Sequence, residues 1–259
     1  MTPINNLDIY NEGMKKSIED KLFFLPMLEG KTSHILDYGC ADGAMLKEIR
    51  KRNQYLGLSG YDQSIDMIGK AKVGAERIFF SSSLREVLDQ IYLLNSTLVL
   101  SSLIHEVYSY SNLNEIRNFW SFVLHETFEY IVIRDFSVSG ALYKEMASEE
   151  NVTKILSNEN YKRIYEDFCY KCGQIVTQRD LIHFLLKYRY KENWEREVRE
   201  NYLPLSTEAL LKIIQGSKYK VIYQKNYILP FLKEKVREDF GIELEDYTHI
   251  NLILKLKGI

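Results

Sequence analysis

The sequence contains few cysteines and prolines and has no large excess of either charge. Its 259 residues include three cysteines and four prolines, and the formal net charge is −2. A small, odd number of cysteines in a chain of this length is not typical of a disulfide framework. The near-neutral charge provides no overall attraction to nucleic acid or to an anionic membrane.

Long apolar runs are also missing. No stretch approaches the roughly 18 or more apolar residues that a membrane-spanning helix requires. The first eight residues are polar and lack the basic and then apolar layout of a signal peptide. We therefore expect a cytoplasmic protein that has no membrane partner.

Two of the cysteines, Cys169 and Cys172, form a C-x-x-C pair. A structural zinc site needs two more ligands at suitable spacing, but there is no second pair, and the nearest histidine, His183, stands alone. The pair does not follow a strand in a βαβ unit, as a thioredoxin-like redox site would. We therefore interpret both cysteines as ordinary residues of a helical segment.

Strand-like and helix-like segments alternate through the first half of the chain. The strand-like runs are HILDYG (34–39), YLGLSGYD (55–62), RIFFSS (77–82), STLVLSSL (96–103) and EYIVIRDFS (129–137). This alternation predicts an α/β fold with a doubly wound parallel sheet covered by helices on both faces. Residues 140–202 are helical in character, charged and rich in Tyr and Phe, and a helix–strand–helix–strand pattern follows them.

The stretch HILDYGCADGAML (34–46) runs from a strand through a glycine-bearing turn into a helix. Such a turn builds a ligand site at the carboxyl edge of a sheet. A nicotinamide fingerprint would need glycines at 39, 41 and 44, but positions 41 and 44 are alanines, which disfavours an NAD-dependent oxidoreductase. The order of Asp37, Gly39 and Gly43, D-x-G-x-x-x-G, instead resembles the first motif of class I S-adenosylmethionine-dependent methyltransferases.

This resemblance implies a Rossmann-like sheet of seven strands with an antiparallel last strand, and a helical insertion after the fifth strand. We divide the chain into a cofactor-binding core (1–139), a helical lid over the acceptor (140–205) and the C-terminal part of the core sheet (206–259). The cofactor would be S-adenosylmethionine. The activity would be methyl transfer.

The resemblance also assigns the glycine turn to the cofactor. The carboxylate of Asp37 would accept a hydrogen bond from the ammonium group of the cofactor, directly or through water. Gly39 would leave room for the methionine portion. The turn residues placed at the cofactor are Gly39, Cys40, Ala41 and Gly43.

A second acid, Asp62, ends the second strand roughly 20 residues after the turn. An acid at this place can bind both ribose hydroxyls. Asp62 is alternatively a helix N-cap, and the two roles can coexist. Further cofactor contacts implied by the resemblance are Tyr10 over the site (alternatively a buried aromatic), Gln63 and Met67 beside the adenosine, and Ser82, Ser83 and Leu84 at the adenine, where many relatives carry an acid.

The fourth strand ends in LSSLIHEVY, so Ser101 and Ser102 would border the methyl-transfer site. His105 is the candidate general base because its ordinary pKa lies near neutrality, although it could merely pack beside the cofactor. No proline lies here, which argues against DNA amino-methyltransferases and cytosine-C5 enzymes. There is also no acid of the kind that holds magnesium in catechol-type enzymes, so we predict no metal site.

The acceptor is the least determined feature of the sequence. Candidate substrate residues are Glu106, Tyr108, Arg134 and Asp135, of which the last two could instead form an ion pair at the strand end; Tyr110 is a further rim candidate. Aromatic and basic residues in the insertion could bind nucleic acid. However, the acids Glu192, Glu195, Glu197 and Glu200 favour a solvated helix face with i to i+4 pairs. We therefore expect a small or nucleotide-like acceptor slightly more than nucleic acid; the alternatives are an RNA methyltransferase and a non-catalytic S-adenosylmethionine-binding protein. The sequence leaves the oligomeric state open.

Overall fold

A computed structural model describes residues 18–258, which contain one seven-stranded sheet. The strand order is β3-β2-β1-β4-β5-β7-β6, and β7 pairs antiparallel with both β5 and β6. The predicted doubly wound sheet with an antiparallel last strand is therefore confirmed. The strands are β1 (His34–Tyr38), β2 (Gly57–Tyr61), β3 (Phe79–Ser81), β4 (Ser96–Ser101), β5 (Tyr130–Phe136), β6 (Tyr219–Tyr227) and β7 (His249–Leu256).

Helices connect the strands and cover both faces of the sheet. The first six are α1 (Leu25–Leu28), α2 (Ala44–Arg52), α3 (Ile65–Lys72), α4 (Leu84–Leu88), α5 (Ile104–Tyr110) and α6 (Leu113–His125). The others are α7 (Glu149–Leu156), α8 (Glu159–Cys172), α9 (Gln178–Lys187), α10 (Trp194–Glu197), α11 (Thr207–Gln215) and α12 (Pro230–Phe240). Residues 18–21 are also helical, and the 3₁₀ turns are Leu93–Asn95, Gly140–Tyr143 and Lys191–Asn193.

Successive residues of the central strands pack against opposite helical layers. Ile35 belongs to a core with α1, α2 and α3, while its neighbour Leu36 belongs to a core with α4, α5, α6 and α11. The central strands β1, β4 and β5 are buried on both faces, which explains why they read as continuous apolar runs rather than as an alternating pattern.

The helical region after β5 has a core of its own. This core contains Phe168, Phe184 and Trp194, as the predicted insertion requires, but also Leu232, Val236 and Phe240 of α12. The helix between β6 and β7 therefore packs with the insertion. The three-segment division at 139 and 205 stays a prediction, and its middle segment shares its core with residues 228–244.

Helix starts follow local sequence signals. Asn112 and Glu115 form a capping box at the start of α6, and Thr177 and Asp180 form one at the start of α9. None of the helices described within residues 18–258 is both long enough and apolar enough to cross a membrane.

Candidate active site

The glycine turn after β1 is held in left-handed backbone conformations. The φ angles are +84° at Gly39, +47° at Ala41 and +72° at Gly43. A Cβ atom on Gly39 would lie 2.7 Å from Leu103 Cδ1, and one on Gly43 would lie 2.5 Å from Phe80 Cζ. The left-handed backbone favours glycine at both positions, and close packing against Phe80 and Ala71 adds a second reason at Gly43, which the sequence motif did not reveal.

Asp62 joins the end of β2 to this turn. Its Oδ2 accepts a hydrogen bond from the backbone N–H of Ala41 at 2.9 Å, and its Oδ1 accepts one from the backbone N–H of Ser64 at 2.8 Å. The N-cap of α3 is Ser64, whose side chain accepts from Met67, so the N-cap alternative for Asp62 is wrong. Each carboxylate oxygen of Asp62 keeps a lone pair for a ligand.

Asp37 is a buried carboxylate at the carboxyl end of β1. Burial raises the pKa of Asp37 to about 7; the charge of Lys21 opposes this shift and that of Asp62 adds to it. Burial and the charge of Arg134 lower the pKa of Lys21 to about 8, against the effect of Asp37. Lys21 thus brings a positive charge near Asp37, and nothing in the sequence motif identified it.

Arg134 at the end of β5 binds the segment before β1 to the sheet edge. Its guanidinium pairs with Asp20 at 2.7 Å and donates to Ser102 Oγ at 2.8 Å. Ser102 has a φ of +56° and donates its N–H to the Arg134 carbonyl at 2.7 Å, and the Tyr227 hydroxyl also donates to Asp20. Of the two interpretations of Arg134, the structure contains the ion pair with Asp20, and the contact with the acceptor stays a prediction.

His105 and Asp135 form a buried pair where β4 and β5 end. His105 Nδ1 lies 2.6 Å from Asp135 Oδ1, and Asp135 Oδ2 accepts from the backbone N–H groups of Leu103 and Ile104 at 3.0 and 2.7 Å. A carboxylate only accepts, so Nδ1 carries the proton and Nε2 points away with its lone pair or a second proton. Asp135 Oδ1 also accepts from the backbone N–H of Phe136 at 2.8 Å, so the lone pairs of Asp135 are used within the fold and the residue orients His105. Its contact with the acceptor stays a prediction.

The electrostatics of the pair favour its charged forms. Burial lowers the pKa of His105, but the charge and hydrogen bond of Asp135, together with Glu106 and Glu200, outweigh burial and raise it overall. Burial raises the pKa of Asp135, but His105 and the backbone N–H groups outweigh burial and lower it overall.

Glu200, from the helical region, lies opposite Nε2 of His105. Its Oε2 is 3.7 Å from Nε2, while its Oε1 accepts from the Tyr110 hydroxyl at 3.0 Å and from Arg196 Nε at 3.2 Å. Arg196 Nη2 also donates to Glu106 Oε1 at 3.3 Å. The solvated face predicted for this segment is therefore wrong at Glu200, which is 3% exposed.

Glu106 is the third titratable group of this cluster. Burial raises the pKa of Glu106 to about 7; His105 and Arg196 oppose the shift and Glu200 adds to it. Of the predicted rim tyrosines, Tyr110 reaches the cluster through Glu200, whereas the Tyr108 hydroxyl accepts from Trp120 Nε1 at 3.0 Å.

Aromatic rings enclose His105 on the lid side. Its ring meets Phe136 and Tyr202 edge-on, with centroids at 4.9 and 5.1 Å. Phe136 and Tyr202 stack on each other at 4.3 Å with an interplanar angle of 7°. Glu197 is buried too and accepts from the Tyr202 hydroxyl, so the solvated-face prediction is also wrong there.

The remaining predicted cofactor residues have mixed surroundings. Ser83 caps α4, Ser82 and Gln63 are exposed, Met67 is partly buried, and Cys40 packs in the core. Ser101 Oγ is buried and makes no hydrogen bond among the described residues. Tyr10 lies outside the described residues, and the contacts assigned to the cofactor stay predictions.

The C-x-x-C pair lies near the end of α8. Cys169 is buried in the helical core, and Cys172 donates its S–H to the Val198 carbonyl at 3.3 Å. Both thiols are free. Their helical setting agrees with the interpretation made from the sequence.

No protein-family model matches this chain, and no curated protein matches its sequence. Solved structures do match. The plantazolicin methyltransferase BpumL, in complex with a monoazolic desmethylPZN analog and SAH, has 12% identity, covers 95% of this chain and 88% of its own, and gives a TM-score of 0.51. The methyltransferase domain of bacterial CtHen1-CN has 12% identity. Its match covers 93% of this chain and 99% of its own, with a TM-score of 0.50. At these identities the likeness concerns the fold, which is that of class I S-adenosylmethionine-dependent methyltransferases.

Proposed function

We propose that this chain is an S-adenosylmethionine-dependent methyltransferase that acts on a small acceptor. The observation that carries the proposal is that one sheet edge holds two polar groups of different character. Asp37 and Asp62 lie beside the glycine turn. His105 follows β4, Asp135 lies near the end of β5, and Glu200 comes from the lid. This edge is where α/β sheets bind ligands.

Asp37 and Asp62 suit two parts of the cofactor, its ammonium group and its ribose. Asp37 is a buried acceptor for the ammonium group, and Asp62 has one lone pair left on each oxygen for the ribose hydroxyls. S-adenosylmethionine, when bound, supplies an electrophilic methyl group on a sulfonium. The BpumL structure holds SAH, the product form of that cofactor, which supports this choice for a chain of the same fold.

The second group would hold the nucleophilic atom of the acceptor. Positioning by such groups can supply about 7 kcal/mol or more of the acceleration of an in-line displacement. Asp135 holds Nδ1 of His105, and Nε2 on the other side of the ring faces Glu200. Nε2 can therefore accept a proton or bind a cation. The general-base role of His105 stays a prediction.

The charges near the acceptor site favour a small molecule over nucleic acid. Residues 140–205 contain eleven Lys and Arg and eleven Asp and Glu, so the lid has no net positive charge. The side chains nearest His105 Nε2 include two glutamates, Glu106 and Glu200. Binding of nucleic acid depends on a basic surface that neutralises phosphates, and these side chains would repel them.

Calorimetric titration with S-adenosylmethionine and S-adenosylhomocysteine, with NAD as control, tests the proposal. We expect the first two ligands to bind with micromolar affinity. Asp62→Ala should weaken their binding at least tenfold, while Asp66→Ala, on the exposed side of α3, should leave it unchanged. The proposal fails if the folded chain binds neither ligand.

Acceptor screening then separates an enzyme from a binding protein. Release of S-adenosylhomocysteine should depend on an added small-molecule pool and not on RNA. Tight cofactor binding with no release from any pool would favour a non-catalytic S-adenosylmethionine-binding protein.

A further inference from the structure

Three side chains at the acceptor end of the site form a group with the composition of a cation site. One ligand atom from each of His105, Glu106 and Glu200 lies within 4.8 Å of the other two, and this is the group found among residues 18–258. His105 and Glu106 belong to α5, directly after β4, whereas Glu200 comes from the lid. His105 and Glu200 are 4% and 3% exposed, whereas the Glu106 side chain is partly exposed, so the group is buried on two sides and open at Glu106.

The outer hydrogen bonds of these side chains leave the inner atoms available. Asp135 holds Nδ1 of His105 and so directs Nε2 toward Glu200 Oε2, 3.7 Å away. Arg196 and Tyr110 hold Oε1 of Glu200, and Arg196 also holds Oε1 of Glu106. In metal sites, ligating histidines almost always donate their other ring N–H to a carboxylate, carbonyl or water, and ligating carboxylates are hydrogen-bonded in turn.

The charged groups around the cluster are compatible with a bound cation. The carboxylates of Asp135, Glu106 and Glu200 lie beside His105 and the guanidinium of Arg196. Metal ligands bind in their deprotonated forms, so a divalent cation would take the place of the protons that these side chains share.

We propose that His105 Nε2, Glu106 and Glu200 bind one divalent transition-metal cation. One imidazole with two carboxylates suits Mn²⁺, Fe²⁺ or Zn²⁺ better than Ca²⁺ or Mg²⁺, which prefer oxygen ligands alone. Ligand distances of about 2.1 Å place ligand atoms roughly 3 Å apart, so the two glutamate side chains would close by about 1 Å around the ion. This proposal differs from the prediction of no metal site, which did not place Glu200 of the lid beside His105 and Glu106.

The metal site has one consequence that rests on the proposed function. An ion held by three protein atoms keeps positions open for an oxygen or nitrogen of the acceptor, and its charge lowers the pKa of the bound group. His105 would then act as a ligand rather than as a general base.

Mn²⁺ titration of the full chain after chelator treatment tests the site without cofactor or acceptor, so its result is independent of the proposed function. Mn²⁺ also has little affinity for thiolates, which keeps the C-x-x-C pair out of the measurement. We expect one Mn²⁺ per chain by calorimetry and by loss of the free-ion EPR signal. Glu106→Gln and Glu200→Gln should each weaken binding at least tenfold.

Two further variants define the site. Asp135→Asn should weaken Mn²⁺ binding about 10–100-fold, because it removes the group that orients His105. Glu195→Gln is the matched control on the same lid segment, since Glu195 is exposed and pairs with Lys171, and it should bind as wild type does. Circular dichroism verifies folding, and Mn²⁺ should raise the melting temperature of the wild type. Absence of 1:1 binding by the folded wild type, or equal binding by folded Glu106→Gln and Glu200→Gln, would overturn the proposal.

Discussion

Asp37 should make cofactor binding depend on pH. Its pKa is raised to about 7, chiefly by burial. Under the proposed function, its ionised form would bind the ammonium group of the cofactor. With that pKa, about one tenth of Asp37 is ionised at pH 6 and about nine tenths at pH 8. Affinity for S-adenosylhomocysteine should therefore rise about tenfold between these pH values, with a proton released on binding below pH 7.

Calorimetry in two buffers of different ionisation enthalpy measures both the affinity and the proton release. Asp37→Asn should bind more weakly and with little dependence on pH, and Asp66→Asn is the surface control. Equal affinity of the wild type at pH 6 and pH 8, or the same dependence in Asp37→Asn, would refute the reasoning.

The same shift predicts how the stability of the free protein changes with pH. An acid whose folded-state pKa is raised stabilises the fold fully only below its unfolded pKa, and this stability is lost as pH rises toward 7. The pKa of Asp37 lies about three units above its ordinary value, which corresponds to an upper limit of about 4 kcal/mol in the free energy of unfolding. Urea unfolding should show a smaller loss between pH 5 and pH 8 in Asp37→Asn than in the wild type.

Two further predictions concern packing and orientation. Gly43→Ala should lower the free energy of unfolding by about 3 kcal/mol, because its Cβ would lie 2.5 Å from Phe80 Cζ at a φ of +72°. Urea unfolding should show a smaller loss when the same change is made in a Phe80→Leu variant. Equal losses in the two backgrounds would exclude the steric reason. Asp135→Asn should destabilise the fold by about 3 kcal/mol because it breaks a buried pair. It should also lower the pKa of His105 in an NMR titration, since Asp135 raises that pKa. Because a raised histidine pKa stabilises the fold below its unfolded value, this part of the loss should be largest at acidic pH and should fade as pH rises; an unchanged His105 titration would contradict it.

The parts of the fold that the sequence predicted are those encoded by neighbouring residues. The alternation of strand-like and helix-like runs predicts the parallel strands, and the turn at Asp37, Gly39 and Gly43 gives the position of the site. Glu200 was not predicted as a site residue because its environment depends on docking of the lid. Arg196 and Glu200 are spaced as an ordinary i to i+4 surface pair, and nothing in that spacing shows that the pair is packed against α5.

Packing also explains why a motif residue can have a role other than the one assigned to it. Gly43 matches the methyltransferase motif, yet the space beside it is filled by Phe80 from β3, which the motif does not include. Asp135 was predicted to face the acceptor because it ends a strand, but the backbone N–H groups at the start of α5 and the ring of His105 use its lone pairs. Both roles depend on contacts between distant segments, and one sequence does not specify these.

The two ends of the site share one electrostatic feature. Burial raises the pKa of both Asp37 and Glu106 to about 7, although a fold optimised for stability alone would leave such carboxylates in water. Lys21 lies near Asp37 and Arg196 pairs with Glu106, yet both pKa values stay raised, so an additional cation would favour the ionised form of each carboxylate. A positively charged ligand at either end would therefore stabilise the fold more at pH 8 than at pH 6, because more of the carboxylate is ionised there. The carboxylates thus favour an ammonium group beside Asp37 and a metal ion beside Glu106 for the same physical reason.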